Sequence, residues 1–550
     1  MRKLTLLILL YVSALLLSCG AIYAQVVTPI EQTVAPTADS SLLVEILPGV
    51  RKLEFRKIND STQLQILAGN VKLKQGTSLF FCDSCVINNN TNTFEAWGNV
   101  HVNDADTANI YSSHLRYLIN KRLAYLDGGV RLTDGKGTLT TPDLEYDMTT
   151  DIGIYKKGGK VVNKKTVLTS QEGYYYAGLR DVYFKKNVVL NDPAYKITTD
   201  SLLYNTQSQT ARFIAQTLIK DSTGRIIETK EGFYNIATGK AEFGGRPIIK
   251  DGKLTITANK IINDDSTGIS QARGNVIIID SVQQTTILAG EVYRDNKNDR
   301  MLATRKPLMI IKQDNDSIYV TADTLFSARL SDLYSSKDSL TKDTVKGTKV
   351  VDIKNVKENN KDSTNRYFEA YRNVRIFSDS MQAISDSMFY SFRDSTFRLF
   401  QKPVVWAKES QITGDTIYML TKNKKADKLE VFENSFMVNR IDPEVYNQVK
   451  ATRMDGYFKD GQLDSVRAAG LAEAIYFIQD DDSAYTGINE STCDIIDIYF
   501  GKETLEKVVL RSNVSGTIWP MKQKDPKEMR LTNFIWLEDR RPKTKYDLFD

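Results

Sequence analysis

Apolar residues recur at every second position along most of the chain, as in Leu202 and Tyr204, Met388 and Tyr390, or Ile496 and Ile498. Alternation with a period of two gives a strand one oily face and one wet face, and helical three-and-four spacing is nearly absent. The pattern predicts an all-β protein of short antiparallel strands.

The alternation is itself repeated. One phrase occurs as Gly69-Asn70-Val71-Lys72-Leu73, Gly98-Asn99-Val100-His101-Val102, Gly129-Val130-Arg131-Leu132, Lys186-Asn187-Val188-Val189-Leu190, Gly274-Asn275-Val276-Ile277-Ile278 and Arg372-Asn373-Val374-Arg375-Ile376. Looser copies start at Gly159, Arg246, Lys306 and Lys402. The spacing is about 27 to 32 residues over most of the chain, as expected of stacked supersecondary units. A second phrase follows about 11 to 15 residues later, room for a strand and a turn: Cys82-Asp83-Ser84-Cys85, Thr199-Asp200-Ser201, Ala322-Asp323-Thr324, Ser385-Asp386-Ser387, Gly414-Asp415-Thr416 and Cys493-Asp494-Ile495. A third, looser strand, such as Thr396-Phe397-Arg398-Leu399-Phe400, closes the unit. Gly and Asn tolerate left-handed backbone angles, so the Gly-Asn step reads as a turn that separates strands.

Around this array the chain divides into a signal peptide (1–24), a leader linker (25–45), β-repeats (46–330), a polar insertion or linker (331–365), further β-repeats (366–519) and a C-terminal cap or tail (520–550). The N-terminus has Arg2 and Lys3, an apolar run from Leu4 to Leu17, then small residues. This is the layout of a secretory signal and is short for a membrane span. Cleavage between Ala24 and Gln25 fits, and lipidation of Cys19 is the alternative. The expected compartment is the periplasm, with outer-membrane association as a further option.

A net charge of +5 is too mild to argue for nucleic acid. Of four cysteines, Cys19 lies in the signal, which leaves an odd number in an oxidising compartment and no disulfide framework. His101 and His114 are the two histidines and have no metal-ligand spacing, and no phosphate loop, nucleophile elbow or zinc motif is present. Neither enzyme, metal nor cofactor is expected. Cys82 and Cys85, three apart on a strand, should point to opposite faces. The recurrent Asp83, Asp200, Asp323, Asp386, Asp415 and Asp494 lack the glycine-dense pattern of calcium solenoids and are expected to bond backbone amides in turns.

The Gly-Asn-Val phrase, the Asp-Ser or Asp-Thr strand after it, the thirty-residue beat and the signal together resemble the OstA-like family over about residues 45 to 515. The resemblance implies an elongated, twisted, V-shaped β-jellyroll whose interior accepts acyl chains. It implies lipopolysaccharide, through its lipid A part, as cargo, and other lipopolysaccharide-transport proteins as partners joined by end-strand augmentation. The lining would be Val71, Leu73, Val100, Val102, Val130, Leu132, Val188, Leu190, Val276, Ile278, Val374 and Ile376. The rival reading is an exported structural or carbohydrate-binding β-solenoid scaffold with a closed core.

Overall fold

The computed structural model describes residues 43–549 except 60–61, 105–107, 313–316, 336–365, 423–424, 481–483 and 502–504. The expected signal, Ala24, Gln25, Cys19 and nearly all of the leader and polar insertion lie outside the described residues. The described start of that insertion belongs to a helix, Leu330–Ser335.

Among the described residues, forty strands form one hydrogen-bonded sheet in which every pairing is antiparallel. The strands on either side of the polar insertion are paired directly, Arg366–Phe377 with Thr324–Arg329 and Ser317–Thr321, so the two repeat regions are one array.

The Gly-Asn step does not separate strands, contrary to the sequence expectation. It lies inside single long strands such as Thr62–Gln75, Thr93–Asp104, Asp181–Asn191, Ile269–Asp280 and Arg366–Phe377, and the ladder register slips there. Two consecutive residues are left-handed at each slip, for example Gly69 and Asn70 (φ 79° and 52°) or Gly98 and Asn99 (75° and 46°). This is a β-bulge used as a corner, where glycine has no Cβ to clash and asparagine tolerates the angle best among other residues.

Each corner sends one half of the strand into one wall and the other half into a second wall. In Asp181–Asn191, residues 181–185 pair with Ser201–Asn205 in wall 1, and residues 188–191 pair with 196–199 in wall 2. The second sequence phrase is the opposite side of the same corner, since Asp83 faces the bulge at Gly98-Asn99. The Asn99 amide donates to Asp83 Oδ2 at 2.9 Å, and Asn373–Asp323, Asn434–Asp415 and Asn513–Asp494 repeat the clip. For these four aspartates the partner is a side-chain amide as well as, or in place of, the backbone groups expected.

The hydroxyl just before the aspartate turns inward and donates to the carbonyl two residues on, as Thr199 does to Ser201 and Ser385 to Ser387. Corners are thus satisfied locally, as buried polar backbone must be.

Between the walls lies a continuous apolar seam. One cluster of buried side chains runs from Leu67 to Ile498, through every rung. After the last strand, Ser515–Pro520, the chain folds back over the outer face of wall 2. Met529, Leu531, Phe534, Trp536, Leu537 and Leu548 cover Phe477, Val438, Tyr446, Trp406 and Leu308 in turn. Buried Gln448 and Gln411 each bind this strap as a strand would, donating to Met529 O and Ile535 O and accepting from Leu531 N and Leu537 N.

Candidate functional site

The twelve predicted lining residues all sit in the central cluster and are only 0–5% exposed. Alternation explains this, because each lies two or four positions from a corner on the face that the bend turns inward. The side chains pack chiefly on one another and on the facing wall, so over most of its length the interior is filled.

Its mouth is closed as well. The residue four positions past each corner on the incoming strand is inward and level with the rim. In five successive repeats it is a tyrosine: Tyr117, Tyr146, Tyr175, Tyr204 and Tyr234. These rings reach across to wall 2. Tyr117 donates to Gln75, whose own amide donates to Ile119 O. Tyr146 donates to Asp104 at 3.3 Å, Tyr175 and Thr206 donate to Asp134, and Tyr234 packs on Tyr195 with ring centroids 4.5 Å apart. Burial pushes the Tyr204 phenol up to about 12, against the opposing effect of a hydrogen bond from Asn163. Burial likewise raises Tyr117 and Tyr175, so these phenols stay protonated.

The ladder then breaks. The next three positions are Asn263, Arg294 and Ser327, before Tyr390 takes the place again, and in wall 1 Arg329 and Arg366 also face inward at the rim. Here a cavity of about 360 Å³ opens between the walls. Its apolar floor includes Leu254, Ile256, Ile278, Ile287, Met301 and Phe368, and its rim carries the three arginines with Asp251, Lys253, Asp280 and Asp299. Ile278 is the one predicted lining residue that borders it.

The rim is an ion network. Arg294 meets Asp251 of the opposite wall at 3.1 Å, and Arg366 and Arg329 meet Asp299 at 2.9 and 3.6 Å. Sequence reasoning missed these arginines and the tyrosine ladder before them. The signal was present as a roughly 29-residue recurrence of Leu-x-Tyr, seen at Leu115-Arg116-Tyr117, Leu144-Glu145-Tyr146 and Leu202-Leu203-Tyr204.

The cysteines depart from expectation. Cys82 and Cys85 are both buried on the inner face, because the corner at Asp83 inserts one residue and shifts the alternation. They are free thiols, and a hydrogen bond with Cys82 together with burial pushes Cys85 up, which disfavours a reactive thiolate. Both histidines lie on the outer faces. His101 stacks between Phe81 and Tyr111, while His114 stacks on Trp97 and meets Asp127 at 3.0 Å. Among the described residues, no group of three or more His, Cys, Asp or Glu side chains could hold a metal ion. No helix there is long and apolar enough to cross a membrane.

Bent antiparallel strands, two walls and an apolar seam define the class: a corner-folded β-repeat protein with a lined interior. Residues 46–200 match the model of the family described as OstA-like protein. The same corner geometry continues past residue 200 to the end of the array. No curated protein matches the chain.

Proposed function

We propose that this protein carries the acyl part of lipopolysaccharide along its interior, in the periplasm, as a bridge component on the way to the outer membrane. The observation that carries the reading is the unbroken apolar seam between two walls in a chain whose first 150 or so array residues match the OstA-like family model. Burial of an acyl chain gains roughly 0.8 kcal/mol per methylene. A seam of equivalent rungs spreads that gain evenly, so a guest can move along it without a deep trap. Carriage makes and breaks no covalent bond, and the reading assigns no catalytic residue.

The ends of the array suit docking to other transport proteins. Strand Lys52–Asn59 pairs only with Thr62–Gln75 among the described strands, and its Leu53, Phe55 and Ile58 are exposed. A partner strand would satisfy that edge and continue the seam.

The filled interior and the tyrosine-closed mouth favour a second reading for residues 62–235, a sealed scaffold that admits nothing. Photo-crosslinkers at Val188, Val276 and Ile278 separate the two in cells that make lipopolysaccharide. Carriage predicts lipopolysaccharide adducts from Ile278 and, during transport, from Val188. Adducts from none of the three would leave only the scaffold.

A further inference from the structure

The three mouth arginines do something the rest of the array does not. Arg329 and Arg366 stand directly opposite each other on neighbouring strands, Thr324–Arg329 and Arg366–Phe377. Like charges in directly opposed cross-strand positions are destabilising. Arg294 comes from a third strand, Thr285–Asp295, four residues past its corner, where six other repeats place a tyrosine, the sixth being Tyr390.

Arg366, Arg329 and Arg294 all approach one carboxylate, Asp299, at 2.9, 3.6 and 3.9 Å. Arg294 also takes Asp251, and Lys253 is paired with Asp280 at 3.3 Å. Around the rim, four cations therefore face three carboxylates, an excess of one positive charge. Each guanidinium carries five N–H donors in a fixed fork, far more than two carboxylates occupy. The side chains of Arg294 and Arg366 are each 16% exposed, so an anion bound there would be largely shielded from water and salt.

Directly below these donors the lining turns apolar. Ile256, Ile278 and Ile287 from wall 2 face Met301 and Phe368 from wall 1. The volume of about 360 Å³ is at the low end of ligand pockets, fit for a single chain and not a bundle of chains.

We propose that this cavity is a binding site for one acyl chain bearing an anionic headgroup, with the chain on the Ile256–Ile287 floor and the phosphate or carboxylate on Arg294, Arg329 and Arg366. The inference rests on reading the interior as an acyl path, and it makes the break in the tyrosine ladder the place where that path meets solvent. Bidentate contacts from guanidinium groups suit a phosphate better than lysines would.

The test uses the full chain and two fluorescent probes with the same acyl chain, an acylglycerol phosphate and the uncharged acylglycerol. The wild type should bind the phosphate probe at least tenfold more tightly. Arg294→Glu with Arg366→Glu should abolish that preference, and the milder Arg294→Gln should reduce it while leaving the circular dichroism of the array unchanged. Inorganic phosphate at millimolar concentration should not displace the probe. Equal affinity for both probes, or a preference that survives the charge reversals, overturns the arginine site. Full displacement by inorganic phosphate would show an ion site without a chain, which also overturns it. Failure to bind either probe would instead count against acyl carriage as a whole.

Discussion

Two stretches of the same array are built on the same corners and yet end differently at the mouth. In residues 62–235, Tyr117, Tyr146, Tyr175, Tyr204 and Tyr234 stand at the rim, and these close the walls with hydrogen bonds, among them bonds to the Asp104 and Asp134 carboxylates, and with ring contacts. In residues 250–392 the rim holds Arg294, Arg329 and Arg366, and a cavity lies beneath them. Backbone geometry is common to both, so the difference rests on a few inward rim positions: Arg294 takes a place in the tyrosine series, while Arg329 and Arg366 face inward further along their strands. An aromatic ring fills the gap between the walls, whereas a guanidinium cannot be buried without an anion and holds the walls apart around charge.

The comparison should be visible first in stability. Leu190→Ala removes a fully buried side chain in the closed stretch and is expected to cost about 2–5 kcal/mol. Met301→Ala, which borders existing space, should cost about 2 kcal/mol or less, because little new cavity is made. In an array where each rung packs mainly on its neighbours, the loss stays local. Hydrogen exchange of the adjacent strands is therefore the measurement, and equal protection losses at the two sites would erase the distinction.

The next effect is on binding. Arg294→Tyr restores the ladder residue at the break, and the affinity of the acylglycerol phosphate should fall about tenfold, roughly 1.4 kcal/mol. Should the variant bind as before, the rim residue is not what distinguishes the two stretches.

A smaller, pH-dependent effect belongs to one latch of the closed stretch. Burial pushes the Asp134 carboxyl up, but the N–H groups of Gly137 and Lys136, the Thr206 hydroxyl and Arg180 outweigh it, and the net shift is downward. A lowered folded value means that this latch contributes fully above the unfolded value of about 3.9 and is lost as pH falls through the folded one. Exchange near Gly137 and Thr206 should accelerate only below about pH 4. Asp134→Asn should flatten that profile.

Much of this was legible in the chain itself. The alternation and the thirty-residue beat yield the antiparallel array, and the twelve aliphatic residues after the Gly-Asn phrase do lie inside. The corners were not legible as corners, because two left-handed residues within a strand look like a turn between strands when only residue preferences are read. The same error put Cys82 and Cys85 on opposite faces, since a bulge resets the parity of every residue beyond it. The mouth arginines were hidden for a different reason. Arg294 reads as an ordinary solvated charge until its distance from the corner at Gly290 places it in the tyrosine series. The strap was hidden too, because Gln411 and Gln448 act through partners more than eighty residues away.

The smallest expected effect concerns what the two stretches share. Asn99→Ala removes the 2.9 Å bond to Asp83 and places a methyl group at a left-handed position, φ 46°. Because the clip is exposed, its loss should cost about 1 kcal/mol, near the net value of one hydrogen bond plus a fraction for the backbone angle. Asn373→Ala, at the corner of a strand whose Arg366 and Phe368 border the cavity, breaks the bond to Asp323 and should cost the same. If the corner is a common hinge indifferent to what the mouth does, the two substitutions will match in exchange rate, and neither will alter probe binding. A larger loss of binding from Asn373→Ala would mean that the corner and the arginine rim are coupled across the wall, and the inward rim residues alone would no longer suffice to explain the difference between the stretches.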